Sequence, residues 1–145
     1  MKKIIVGLMV LALLSCNDND AVMRRFNGAE SGFTKGQWHI TAFTKDGRQA
    51  TTNYAAFTFS FTEEGRIIAT DGKHRYNGSW LVQCEDSSDD GPTADPDFII
   101  SFKQPGTLTT LNGEWIVIKK EPAYLSLSRL TSNNNSSDSL VFRKL

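Results

Sequence analysis

The sequence contains few of the residues that usually carry chemistry in an active site. It has two cysteines and two histidines among its 145 residues. The short motifs of serine hydrolases, dithiol oxidoreductases, zinc proteases and phosphate-binding loops do not occur in it. We therefore expect a protein that is not an enzyme. An enzymatic alternative would need His39, His74 or Cys84 to meet a carboxylate in a pocket, and the alternation around His39 predicts that it faces solvent.

The sequence also lacks an excess of charge of either sign. Its 16 Lys and Arg balance its 16 Asp and Glu, so the formal net charge is zero at pH 7. Proteins that bind nucleic acid through phosphate contacts carry a basic surplus. We therefore expect no nucleic-acid partner. The hydrophobic content of 39% is sufficient for a folded core, and the length suits one domain.

No apolar run is long enough to cross a bilayer, which takes about 20 residues. The longest one is Ile4–Leu14, which follows Lys2 and Lys3 and precedes the small Ser15. A basic start, a short apolar stretch and a small residue before a cleavage point are typical of a secretory signal peptide. The run is apolar on all sides, which disfavours an amphipathic helix of a folded domain.

The end of this run, Leu13-Leu14-Ser15-Cys16, resembles the lipobox of bacterial lipoproteins. In that family the cysteine thiol receives diacylglycerol, and cleavage leaves the cysteine as the first residue. The resemblance implies a cleaved lipoprotein signal peptide over residues 1–15 and a lipid anchor at Cys16, through which the membrane is a partner. Ordinary secretion with a nearby cleavage is the alternative.

The residue after the cysteine, Asn17, bears on the location. In the lipoprotein family, Asp at this position can retain a protein in the inner membrane, so Asn17 implies the outer membrane of a Gram-negative bacterium. The sequence leaves the periplasmic face and the cell surface open. Residues 16–35 are polar and lack sustained periodicity, which predicts a flexible lipidated tether.

From residue 36 to residue 145 the pattern is β throughout, without a long helix. Phe57, Phe59 and Phe61 alternate with polar residues, which predicts a strand with an aromatic inner face. Turn signals such as Asp71-Gly72 separate eight segments of this kind. Eight short strands in hairpin order predict an all-β domain: an eight-stranded antiparallel up-and-down barrel, with a β-sandwich as the alternative.

Each tryptophan follows a glycine by two positions, in the pattern Gly-x-Trp. Glycine lets a strand bend or approach closely, and tryptophan then covers the core. We expect a structural role for the three tryptophans, which are Trp38, Trp80 and Trp115.

The first of these motifs, Gly36-Gln37-Trp38, is similar to the first motif of lipocalins. Residues 36–145 resemble the lipocalin-like domains of bacterial outer-membrane lipoproteins. The resemblance implies that Trp38 packs across one end of the barrel. It also implies a late arginine against this tryptophan, and position suggests Arg143. The Thr-Asp-Tyr motif of true lipocalins is absent.

The aromatic surplus on the predicted inner face suggests a binding function. An eight-stranded barrel is just wide enough to be filled by side chains or to hold one small ligand. Our leading hypothesis is a lipoprotein that binds a small hydrophobic or amphipathic ligand in the barrel mouth. The alternative is a filled barrel that binds an envelope protein, as an adhesin, a hydrolase inhibitor or an accessory subunit of an outer-membrane complex. The candidate lining consists of Phe57, Phe59, Phe61, Tyr76, Trp80, Phe98, Phe102, Leu125 and Leu127.

An acidic stretch between two predicted strands fits the Ca²⁺ loop template loosely. Alternating oxygen ligands are followed by a glycine and a closing carboxylate, in a set made up of Asp86, Ser88, Asp90 and Asp97. The closing residue is Asp, which reaches less far than Glu, and Pro92 stiffens the loop. The sequence therefore favours a solvated acidic loop, and Ca²⁺ is the one cofactor that it suggests.

Overall fold

The structure is a computed structural model that describes residues 32–83, 96–131 and 136–145. Two 3-10 turns, Thr51–Tyr54 and Thr107–Leu111, accompany the strands. None of the helices in these three ranges is long and apolar enough to cross a bilayer. The strands are β1 (Trp38–Lys45), β2 (Arg48–Gln49), β3 (Thr58–Phe61), β4 (Arg66–Thr70), β5 (Arg75–Gln83), β6 (Asp97–Phe102), β7 (Gly113–Glu121), β8 (Tyr124–Leu130) and β9 (Ser137–Lys144).

Eight of these strands close into an antiparallel barrel. The order is β1-β3-β4-β5-β6-β7-β8-β9, and β9 pairs back onto β1 with Phe142 opposite Ile40. The short β2 folds back against the end of β1. Closure pairs both edges of the sheet, which removes the exposed edges that a sandwich would leave. The predicted all-β fold and the eight-stranded up-and-down barrel are confirmed.

The barrel has two ends, which we name the base and the mouth. The base holds residues 33–37, the turns 62–65 and 122–123, and Leu145. The mouth holds the connection 46–57, the turn 71–74 and the connection 103–112.

The interior is packed with apolar side chains, because alternate residues of every strand point inwards. Aromatic rings fill the base, where Phe33 lies among Trp38, Phe61, Trp80 and Phe98. The centroids of neighbouring rings in this group are 4.6 to 6.3 Å apart. All five residues are at most 2% exposed, so the base is closed by packed rings.

The three tryptophans are buried without an unsatisfied indole N–H. Trp38 donates to the carbonyl of Phe33 at 3.1 Å. The other two indoles also donate to backbone carbonyls, Trp80 to Thr62 at 3.0 Å and Trp115 to Leu111 at 2.8 Å. A buried tryptophan needs such a partner.

The backbone conformation or close strand packing requires glycine at all three Gly-x-Trp motifs. Gly36 and Gly113 have φ values of +79° and +126°, which other residues rarely adopt. At Gly78, an added Cβ would lie 2.5 Å from the carbonyl oxygen of Ser101 and 2.8 Å from the ring of Phe102. Here β5 and β6 approach too closely for a side chain.

The cation over Trp38 is Lys144, so the position suggested for Arg143 was wrong. The Lys144 Nζ lies 5.1 Å from the Trp38 ring centroid and donates to the carbonyl of Gly32. Neighbouring residues of a strand point to opposite faces. Arg143 therefore points outwards, where its guanidinium lies 4.7 Å from the ring centroid of Tyr124.

Candidate functional site

A small cleft opens at the mouth, beside the packed interior. Its volume is about 200 Å³. Phe57 and Tyr76 line one side of it, and the segment Gln104–Leu108 lines the other. Of the described residues that line it, only Tyr76 carries an ionisable side chain. The cleft therefore combines two aromatic rings with the polar groups of one loop.

The two aromatic rings lie at strand ends, where the inner face of the barrel meets the mouth. Phe57 directly precedes β3, and Tyr76 is the second residue of β5. Their ring centroids are 6.0 Å apart, with an angle of 62° between the planes. The Phe57 ring is also 6.2 Å from that of the fully buried Phe59. Both cleft aromatics are half-buried, so the core supports them while part of each ring remains uncovered.

The opposite side of the cleft is held in place by hydrogen bonds. The Tyr54 hydroxyl donates to the carbonyl of Thr107 at 3.0 Å. Burial raises the pKa of Tyr54, so this hydroxyl stays protonated as a donor at neutral pH. The Asn112 side chain bonds both the N–H and the carbonyl of Phe102, at 2.6 and 2.9 Å. These contacts fix both ends of the connection that carries Gln104–Leu108.

A partly buried ion pair fixes the same connection from the side of β8 and β9. The Arg129 Nε lies 3.0 Å from the Asp138 Oδ2. The two other guanidinium nitrogens donate to the carbonyls of Asn112 and Thr110, at 2.7 and 3.0 Å. The guanidinium also lies 4.0 Å from the ring centroid of Trp115. Arg129 therefore ties the cleft-bearing connection to the barrel wall.

The turn at residues 71–74 borders Tyr76 and is ordered by one carboxylate. Asp71 accepts hydrogen bonds from the N–H groups of His74 at 2.7 Å and Lys73 at 2.9 Å. These bonds lower the pKa of Asp71, with the bond from His74 contributing most. The His74 Nδ1 lies 3.5 Å from the Asp71 Oδ2 on this exposed turn.

Neither described histidine lines the cleft. His74 belongs to the turn just described, and its ring centroid is 6.4 Å from that of Tyr76. His39 lies near the base on the outer face of β1, half-buried, and its Nδ1 is buried without a hydrogen-bond partner. Cys84, the third residue of the enzymatic alternative, lies outside the described residues.

The structure divides the nine predicted lining residues into two groups. Phe57 and Tyr76 line the cleft. The other seven are at most 2% exposed and belong to the packed core: Phe59, Phe61, Trp80, Phe98, Phe102, Leu125 and Leu127.

The sequence did not reveal the second side of the cleft. Gln104-Pro105-Gly106 indicates only that the preceding strand ends there. The signal was present, because a proline and a glycine after a strand of buried residues mark a connection that crosses the barrel end. The glycine has a φ of +133°, and no atom lies within 4 Å of an added Cβ, so this point of the loop borders open space.

The predicted calcium ligands cannot be assembled from the described residues. Asp86, Ser88 and Asp90 lie outside them, as does the lipid-anchor residue Cys16. Asp97 begins β6 opposite Gln83 and is half-buried. In residues 32–83, 96–131 and 136–145, no group of three or more His, Cys, Asp or Glu could hold a metal ion. The calcium loop stays a prediction.

The mouth has the geometry of a shallow binding site. Aromatic faces supply apolar contact, and the loop supplies hydrogen-bonding groups, as is usual for small-molecule clefts. The closed eight-stranded barrel that supports it is consistent with a lipocalin-like fold. The sequence matches no family model, and no curated protein or solved structure is significantly similar to it.

Proposed function

We propose that the protein is an outer-membrane lipoprotein whose lipocalin-like barrel binds a small amphipathic ligand in the cleft at its mouth. The observation that carries this proposal is the cleft of about 200 Å³ between the half-buried rings of Phe57 and Tyr76 and the loop Gln104–Leu108. A ligand that covers exposed aromatic surface in a concave site removes it from water, and this burial favours binding. The lipobox resemblance at Cys16 supports the membrane anchor.

The size of the cleft limits the ligand. Clefts that hold drug-sized molecules measure about 300–1,000 Å³, whereas this one measures about 200 Å³. It therefore suits a single ring or a short chain. The apolar part would contact Phe57 and Tyr76, and a polar edge would face Gln104 and Thr107. A larger amphipathic molecule would leave its remainder in solvent.

The packed interior supports a second candidate function. Residues that would line a deep ligand chamber are buried against one another, as in a core. A filled barrel is a rigid scaffold that presents loops and walls to a partner protein. In that case the protein is an envelope interaction module. The cleft would then receive one side chain of the partner, and an isolated small molecule would bind there only weakly.

The cleft proposal predicts that Tyr76→Ala weakens binding of a monocyclic amphipathic probe. We expect phenol, titrated into ¹⁵N-labelled protein, to shift the amide signals of residues 57, 76, 104 and 106–108. Loss of the tyrosine ring removes one wall of the cleft and should raise the phenol Kd at least about tenfold, which corresponds to about 1.4 kcal/mol. The variant should fold, because Tyr76 is only half-buried.

Tyr124→Ala is the matched control for this titration. Tyr124 is also a half-buried tyrosine of a barrel strand, but it lies at the base. It should leave the phenol titration unchanged. Phenol shifts that avoid the mouth, or that persist unchanged in Tyr76→Ala, would contradict the small-ligand proposal and favour the interaction module.

The anchor proposal predicts that Cys16→Ser abolishes lipidation. Cells grown with labelled palmitate should label the natural protein and leave the variant unlabelled, because only a thiol at the cleavage point accepts diacylglycerol. Cys84→Ser is the control and should remain labelled. Label on the Cys16→Ser variant would contradict the anchor proposal and would leave the cleft proposal untouched.

A further inference from the structure

The outer wall of the barrel at the base carries an aromatic residue between two cations. The strand register places Tyr124 beside Glu121 on β7 and beside Arg143 on β9. The Arg143 guanidinium lies 4.7 Å from the Tyr124 ring centroid, and the Lys119 Nζ lies 6.0 Å from it. We name Lys119, Tyr124 and Arg143 the basal wall. One carboxylate compensates it in part, because the Lys119 Nζ lies 3.2 Å from the Glu121 Oε1.

Exposed aliphatic side chains flank the basal wall. Ile118, at the bulge in β7, is 61% exposed, and Leu145, beyond the end of β9, is 69% exposed. Removing apolar side chains of this size from water at a lipid surface is favourable. Tyrosine, Lys and Arg are the residues that proteins place at the level of lipid headgroups.

The exposed cations on the outer faces of β7, β8 and β9 lie at the base, and they are Lys119 and Arg143. Lys120 and Lys144 belong to the inner face, because Lys120 pairs with the buried Leu125 and Lys144 lies over Trp38. Further towards the mouth, the outer faces of β8 and β9 carry Ser128 and Ser139. The wall therefore changes from neutral to cationic as it approaches the base.

The chain enters the barrel at this same end. Gly32 accepts from Lys144, and Phe33 packs among the rings of the base. At no more than ~3.5 Å per residue, the segment back to Cys16 keeps the base within roughly 55 Å of the anchor. A lipid at Cys16 would thus keep the basal wall within reach of the bilayer.

We infer that the basal wall docks on anionic headgroups of the membrane that carries the anchor. This inference rests on the lipid anchor of the proposed function. Lys119 and Arg143 would contact headgroup phosphates, Tyr124 would lie at the headgroup level, and Ile118 and Leu145 would enter the apolar boundary. The cleft, at the opposite end of the barrel, would then face away from the bilayer.

This docking can be tested by amide hydrogen exchange, measured on the protein after its processing in the cell. The protein is placed on phosphatidylcholine vesicles with or without phosphatidylglycerol, so that the anchor is equal in both. We expect slower exchange at residues 118–121, 123–124 and 141–145 only on the anionic vesicles. This protection should be lost at high salt, because salt screens exposed charges. Exchange at the mouth should not change.

The variants separate docking from anchoring. Each cation near an anionic surface contributes about a fivefold preference for the docked state, so Lys119→Gln and Arg143→Gln should each reduce the protection about fivefold. Arg75→Gln, an exposed cation at the mouth, is the matched control and should have no effect. Equal exchange on both vesicle types would overturn the docking inference. It would favour an acidic protein as the partner of the basal wall. A protein that fails to float with neutral vesicles would instead reject the anchor.

Discussion

Replacing Asp138 with Ala should lower the free energy of unfolding by about 3–5 kcal/mol, because it leaves the mostly buried Arg129 guanidinium without its carboxylate. The Asp138 side chain is only 3% exposed and that of Arg129 is 17% exposed. The same carboxylate accepts a hydrogen bond from the N–H of Asp46 at 2.9 Å. One substitution therefore removes the partner of a mostly buried cation and releases the turn between β1 and β2. Urea denaturation followed by tryptophan fluorescence measures the loss.

The exposed pair of Lys119 and Glu121 provides the control. Its side chains are 61% and 53% exposed, and surface pairs contribute about 0–1 kcal/mol. Glu121→Ala should therefore shift the urea midpoint little. A loss below about 1 kcal/mol for Asp138→Ala would show that the Arg129 cluster does not hold the mouth together.

The Asp138 substitution should also loosen the cleft. Arg129 donates to the carbonyls of Thr110 and Asn112, which anchor the connection that carries Gln104–Leu108. Without its carboxylate the guanidinium should shift towards water, and the amides of residues 104 and 106–108 should exchange faster. The phenol affinity should fall with them. Unchanged exchange at these amides would show that the ion pair does not stabilise the cleft.

The strands could be predicted because alternation is a local property. Phe57, Phe59 and Phe61 are spaced by two, which is sufficient to identify a strand with one inner face. Which of the three is buried in the core and which reaches the mouth could not be predicted. Phe59 and Phe61 are buried in the core, whereas Phe57 reaches the mouth. That difference depends on how far each strand extends past its neighbours, which is a property of the closed sheet.

One error and one omission have the same cause. Assigning the cation over Trp38 to Arg143 rather than Lys144 is a shift of one residue, and a one-residue shift reverses the face of a strand. The register between β1 and β9 decides it, with Lys144 opposite Trp38. Similarly, a net charge of zero does not reveal that two cations flank Tyr124 on one wall of the barrel. Residues far apart in sequence, such as Lys119 and Arg143, become neighbours only through strand pairing.

The packing of the base decides whether the barrel interior is available to a ligand, and Trp38→Ala tests it. The Trp38 ring is fully buried, contacts Phe33 and Phe61, and lies beneath Lys144. Removing it leaves a cavity, and we expect a loss of about 3–5 kcal/mol in the free energy of unfolding. Trp38→Phe, which keeps a ring but loses the hydrogen bond to the Phe33 carbonyl, should cost less. Urea denaturation of both variants gives the comparison. A loss below about 1 kcal/mol for Trp38→Ala would mean that the base is loosely packed, and the interior would then return as a candidate ligand chamber beside the cleft at the mouth.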